Sequence, residues 1–106
     1  MIYDFRMYTL KPGTTQDYMA AVRELALPIR QKYGVKLAGW YYSEIGELNQ
    51  VVHIWAFNDE AHMAEAKGKV AADPDWIGKY LPRVHGLIES QKTYLMMSPD
   101  FAPVPA

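Results

Sequence analysis

The stretch IGELNQVVHIWAF, residues 45–57, decides how the chain folds. Gly46 and Asn49 are turn residues. From Gln50 onward, β-branched and aromatic side chains favour an extended strand. A strand sends successive side chains to opposite faces, so this one carries two rows. Val52, Ile54 and Ala56 form one row, and Val51, His53, Trp55 and Phe57 form the other. The second row places an imidazole and an indole two residues apart on one face. Just before it, VKLAGWYYSEIG at 35–46 reads as another strand, and the short gap makes the two an antiparallel hairpin.

Residues 2–10, IYDFRMYTL, alternate in the same way. Tyr3, Phe5, Met7 and Thr9 share one face, and Asp4, Arg6, Tyr8 and Leu10 share the other. KPGT at 11–14 ends this strand, and Thr14 or Thr15 caps a helix. Tyr18, Val22, Leu25, Ile29 and Tyr33 make the apolar stripe of that helix. Pro28 is expected to kink or end it, and Gly34 to stop it. Asp59 caps a second helix running to about Ala72, in which Gly68 is expected to mark a close approach to a neighbour. Asp73 and Pro74 open a third helical piece, with Trp76, Ile77, Tyr80, Leu81 and Val84 as its apolar face. SQKTYLMM at 90–97 is the last strand.

The order β-α-β-β-α-(α)-β is the split βαβ, or ferredoxin-like, arrangement. The expected fold is α+β, with helices on one face of a four-stranded antiparallel sheet. It spans residues 1–98 and leaves 99–106 as a proline-rich tail.

At 106 residues the chain suits one compact domain. A net charge of −1 argues against nucleic acid as a partner, because phosphate binding needs a basic patch. No apolar run approaches the roughly 20 residues of a membrane span, and the charged, alternating start reads as a strand and not a leader. Without cysteine there are no disulfides and no thiolate chemistry, which fits a cytoplasmic setting.

This topology leaves one sheet face uncovered. The chargeless rows, Tyr3-Phe5-Met7 and Val52-Ile54-Ala56, are expected to face the helices. Arg6, Tyr8, Val51, His53, Trp55 and Phe57 would then lie on the open face, and Trp40 and Tyr42, or alternatively Tyr41, would join one of the two faces. Exposing so much aromatic surface is a liability, so a two-fold homodimer enclosing a barrel is expected.

RMYTLKPG (6–13), EIGELNQVVHIWAF (44–57) and AADPDW (71–76) resemble the hallmark segments of the NIPSNAP family over almost the whole chain. The resemblance implies a dimeric α+β barrel of the kind shared with small monooxygenases. It implies little about activity, because the family has no agreed enzymatic function. The family's recurring residues correspond here to Arg6, Tyr8, Asn49, Gln50, His53, Trp55 and Trp76. Phe57 stands where tyrosine is also common.

On adjacent first and third strands, Arg6, Tyr8, His53 and Trp55 should converge in the interior of the barrel, and the leading expectation is a pocket there for a small organic ligand, anionic or aromatic. His53 is the natural proton donor or acceptor near neutral pH. Arg6 can hold a carboxylate or enolate oxygen, Tyr8 can donate a hydrogen bond, and Trp55 can stack on a flat ligand. His53, Arg6 and Tyr8 are therefore the candidate catalytic residues, with Trp55, Asn49 and Asp4 as candidate ligand contacts. The alternative for Asn49 is that it only fixes its turn, and for Asp4 that it pairs with Arg6. The alternative is that Asp4–Arg6 and His53 are structural groups that cement a non-catalytic dimer. If an enzyme, the chain reads as a cofactor-independent, monooxygenase- or isomerase-like one. No flavin, nicotinamide or haem signature is present, although small barrels of this architecture can bind haem and His53 could ligate iron. His62 and Glu65 have a metal-sharing spacing but no third partner, so no metal site is expected.

Overall fold

The computed structural model describes residues 1–103. Strand β1 (Ile2–Leu10) leads into helix α1 (residues 15–32), followed by β2 (Lys36–Tyr42) and β3 (Gln50–Phe57). Helix α2 (Glu60–Ala72), helix α3 (residues 74–84) and β4 (Ile88–Met97) complete the chain. The sheet order is β2-β3-β1-β4, and every neighbouring pair is antiparallel. This is the expected ferredoxin-like α+β fold.

The helix ends follow from local chemistry. Thr14 precedes α1, and its hydroxyl donates to the Lys11 carbonyl at 2.7 Å. Gly34 ends α1 with φ of +80°, a conformation that favours glycine. The Asp59 carboxylate accepts from the His62 N–H at 2.7 Å and caps α2. The Asp73 carboxylate accepts from the N–H groups of Asp75 and Trp76 and caps α3. The same carboxylate takes the Lys32 ammonium at 3.0 Å and the Tyr33 hydroxyl at 2.6 Å, tying α1 to α3. These bonds, led by the Tyr33 hydroxyl, hold Asp73 down to a pKa of about 2.

Pro28 does not end α1, and the irregularity expected at it takes the form of a changed hydrogen-bonding pattern. A π-helical turn, Val22–Ala26, precedes the proline, and the Leu27 N–H donates to the Val22 carbonyl. Helix α3 repeats the device: Trp76–Tyr80 is π-helical, the Leu81 N–H donates to the Trp76 carbonyl, and Pro82 follows. The wider turn absorbs the donor that proline lacks. Gly68 is also not a point of close approach, because it is exposed and an added side chain would meet nothing within 4 Å. Helix α2 packs through Ala66 and Val70 instead. In α3, Tyr80 and Val84 are buried, while Ile77 and Leu81 are exposed.

The largest correction concerns the two sheet faces. The row that carries charge and aromatic bulk, Asp4, Arg6, Tyr8 and Leu10 with Val51, His53, Trp55 and Phe57, packs under the helices. Leu10, Tyr8, Val51, Trp55 and Phe57 belong to the buried clusters there, together with Tyr18, Val22, Ile29 and Val70. Trp40 pairs with His53 across β2 and β3 and so joins this side. Phe5, Met7, Val52 and Ile54 form the open face with Tyr94 and Met96, which are 47% and 45% exposed. The polar row goes inward because the helices supply its partners, such as the Lys67 ammonium of α2 at 3.0 Å from Asp4.

After β4, Pro99 and Pro103 border a hollow with Tyr3, Phe5 and Ile54 at one end of the open face. Residues 104–106 of the expected tail lie outside the described residues. No helix among the described residues is long and apolar enough to cross a membrane.

Candidate functional site

A cavity of about 170 Å³ lies between the sheet and helices α1 and α3. Its floor comes from Arg6 and Tyr8 of β1, Trp40 of β2, and His53 and Trp55 of β3. Its roof comes from Tyr18, Val22, Ala26 and Arg30 of α1 and from Trp76, Tyr80, Leu81 and Val84 of α3. Both π-helical turns contribute to that roof through Val22, Ala26, Trp76 and Tyr80. Such turns are common at functional sites.

The candidate residues on β1 and β3 meet here, under the helices of one chain and not on the open sheet face where the barrel pocket was expected. Arg6 and His53 are direct cross-strand partners. The Arg6 Nε donates to Asp4 Oδ2 at 3.0 Å, and its Nη1 donates to the Tyr8 hydroxyl oxygen at 2.8 Å. Burial opposes the Arg6 charge, but the Tyr8 oxygen and the Asp4 carboxylate outweigh it and raise its pKa. Burial also opposes the Asp4 charge, yet Lys67 and Arg6 keep that carboxyl below its ordinary value.

His53 is held on three sides. Its ring stacks on Trp40, with centroids 5.6 Å apart and planes 16° from parallel. Tyr8 meets it edge-on at 4.8 Å. The Trp55 Nε1–H donates to its Nδ1 at 2.7 Å. Burial, with the positive charges of Arg30 and Arg6 nearby, pushes the His53 pKa down to about 3. The imidazole is therefore neutral at physiological pH.

Two candidates lie off the cavity. Asp4 does not line it and acts behind Arg6 as the shared partner of Arg6 and Lys67. Asn49 has φ of 64°, its Oδ1 accepts from the Gly13 N–H at 3.2 Å, and its carbonyl accepts from the Leu10 N–H at 2.7 Å. It joins the loops at one end of β1 and β3. The other suggested pair separates: Glu65 bonds Lys69, while His62 Nδ1 accepts from the Asn58 N–H.

Sequence reasoning missed Arg30 altogether. Its guanidinium lies 4.5 Å from the centroid of the Trp55 ring and 5.1 Å from that of Trp76. Burial, and then the like charge of Arg6, lowers its pKa. No carboxylate lies within ion-pair distance of it among the described residues. The available signal was its position, one turn beyond Ala26 and two beyond Val22, on the buried side of α1. Trp40, Tyr18 and Tyr80 were read only as packing residues. Burial raises the pKa of both tyrosines, so both hydroxyls stay protonated.

The polar atoms left over share one character. Among the described residues, the buried side-chain nitrogens and oxygens without a partner are Arg30 Nε, Trp40 Nε1 and His53 Nε2. All three belong to side chains that line this cavity. The first two are obligate donors, and the third is a donor because Nδ1 is already the acceptor. No aspartate or glutamate lines the cavity.

Sheet, helices and cavity together define a ferredoxin-like α+β protein with an aromatic, cationic cavity between its sheet and its helices. The family model for NIPSNAP matches residues 3–103, and the chain belongs to the NIPSNAP family. A NIPSNAP family protein of unknown function from Agrobacterium tumefaciens is 36% identical, with a TM-score of 0.89, covering 97% of this chain and 92% of that one. An uncharacterized NIPSNAP domain protein from Burkholderia xenovorans is 29% identical, with a TM-score of 0.88, covering 98% of this chain and 100% of that one. The human protein NipSnap homolog 3A is 29% identical over 99 residues, which cover 91% of this chain but 40% of the human protein. A putative antibiotic biosynthesis monooxygenase from Nitrosomonas europaea shares the fold alone, at 14% identity and a TM-score of 0.70 over 92% of this chain and 98% of that one.

Proposed function

We propose that this NIPSNAP domain binds a small, partly aromatic organic anion in the chamber between its sheet and its helices. The observation that carries this reading is the set of buried, unpartnered donors on Arg30, Trp40 and His53, three side chains of a cavity that no carboxylate lines. A buried donor without an acceptor is costly, and an anionic ligand would supply what the protein does not. The walls suit a flat molecule, since Trp40, Trp55, Trp76, Tyr8, Tyr18 and Tyr80 all contribute. The size suits one ring: an apolar cavity of roughly 150 Å³ takes up benzene, and this one measures about 170 Å³. Arg6, Tyr8, His53 and Trp55 are the proposed contacts from the strands, with Arg30 added from α1.

Native mass spectrometry of freshly purified protein tests the reading. The expected result is a mass excess matching a small organic acid, or the uptake of benzoate on addition. A bare mass that no added aromatic acid changes would refute it. A cytoplasmic setting belongs to the same proposal and is checked by cell fractionation.

A second reading rests on a different observation. Phe5, Met7, Ile54, Tyr94 and Met96 form an apolar open face, so we also propose that two copies pack these sheets together as a homodimer. The cavity lies on the other side of the sheet, so dimerisation and ligand binding become separable properties. Analytical ultracentrifugation should give twice the mass of the 12.1 kDa chain. A monomer at micromolar concentration would remove this reading and leave the cavity untouched.

A further inference from the structure

Trp55 and His53 are 1% and 3% exposed, so both rings are buried. An indole nitrogen can only donate. The 2.7 Å contact from Trp55 Nε1 to His53 Nδ1 therefore requires a lone pair on Nδ1. A neutral imidazole has one N–H, which must then sit on Nε2. The other tautomer, and the doubly protonated ring, would set N–H against N–H at that distance.

We propose that Trp55 locks His53 as its Nε2–H tautomer, making it a fixed donor that reads an anionic carboxylate or enolate oxygen of the bound ligand. The inference rests on the cavity being a binding site and narrows what binds there. It also reverses two expectations for His53. A general base needs a lone pair on Nε2, and so does a ligand to iron. Either would require the Nδ1 proton that Trp55 opposes.

The surroundings agree. From β1, Arg6, Tyr8 and Asp4 approach the imidazole; from β2, Trp40; from α1, Arg30. The two guanidinium groups favour negative charge on a group that accepts from the imidazole, while Asp4 is engaged by Arg6 and Lys67. A neutral histidine donating to a substrate oxygen is an established way to stabilise developing negative charge. If chemistry takes place in this chamber, His53 serves it as an electrophile. Trp55 is then a positioning residue, acting through His53.

Nitrogen NMR of histidine-labelled full-length protein tests the inference. The expected spectrum shows an unprotonated Nδ1 and a protonated Nε2 for His53, unchanged as the pH is lowered from about 8 to about 5. Benzoate should shift the Nε2 signal and bind about tenfold or more tightly than benzamidine, which has the same shape but offers donors. Trp55→Phe should let the two tautomers exchange, a change that mere loss of packing does not predict. Where that variant fails to fold, His53→Gln, which keeps a donor, should retain benzoate better than His53→Leu. A proton on Nδ1 overturns the inference even if benzoate still binds, and leaves the cavity reading standing. Equal affinity for benzoate and benzamidine overturns the anion preference. The predicted tautomer with no cavity response to either probe refutes the binding reading instead.

Discussion

Arg6 on β1 and His53 on β3 are direct cross-strand partners, and both turn toward the helices. The pair places a neutral imidazole in a positive field. Its pKa in the folded chain is about 3, against an ordinary value of 6.5. Between those values the unfolded chain binds the proton and the folded chain does not, so stability rises with pH across that window. The contribution is complete above about pH 6.5 and is lost as the pH falls toward 3. It amounts to a few kcal/mol, at about 1.4 kcal/mol per pKa unit. Urea denaturation at a series of pH values should show this slope in the wild type and a shallower one in His53→Gln. Parallel slopes would contradict the neutral histidine.

Asp4 should matter more for stability than for binding. It is buried and holds both Arg6 and Lys67. Asp4→Ala leaves the largely buried Arg6 without its carboxylate and should destabilise the fold by about 3 kcal/mol. Thermal unfolding checks this, and a change near zero would mean that the cluster contributes nothing net.

Asp73 fastens α3 to α1 through the Tyr33 hydroxyl and the Lys32 ammonium. Its pKa is lowered from 3.8 to about 2. The contribution is therefore present above about pH 4 and disappears as the pH falls toward 2. Asp73→Ala should lower the melting temperature at neutral pH, and the gap from wild type should close in acid. A gap that persists at pH 2 would point to packing and not charge.

The dimer proposal predicts that Phe5→Lys combined with Ile54→Lys yields a monomer that still binds benzoate. Sedimentation and ligand titration on the same sample separate the two effects. Loss of binding together with loss of the dimer would show that the cavity depends on the partner.

Element order, sheet topology and the N-caps at Asp59 and Asp73 were legible in the sequence, because alternation, helical spacing and capping side chains are local signals. The facing of the sheet was not. Alternation separates Val52-Ile54-Ala56 from Val51-His53-Trp55-Phe57 but says nothing of which row meets the helices. Treating the chargeless row as the core gave the wrong side, because Arg6 alone is a nearby partner for Asp4 and the second, Lys67, lies far away in sequence on a helix. Arg30 was hidden for a related reason. A charged residue on a helix reads as solvated, and only the fold reveals the two tryptophan rings beside it. The π-helical turns were invisible too, since Pro28 and Pro82 signal a break but not the local widening that avoids one.

In the proposed function the cavity takes an organic anion, and Arg30 is the unpaired charge that meets it. Isothermal titration of benzoate into the wild type and into Arg30→Met, with circular dichroism to confirm the fold, tests it most directly. The wild type should bind, and the variant should bind about tenfold or more weakly, as expected for loss of a hydrogen bond to a charged group. Equal affinity in two equally folded proteins would contradict it.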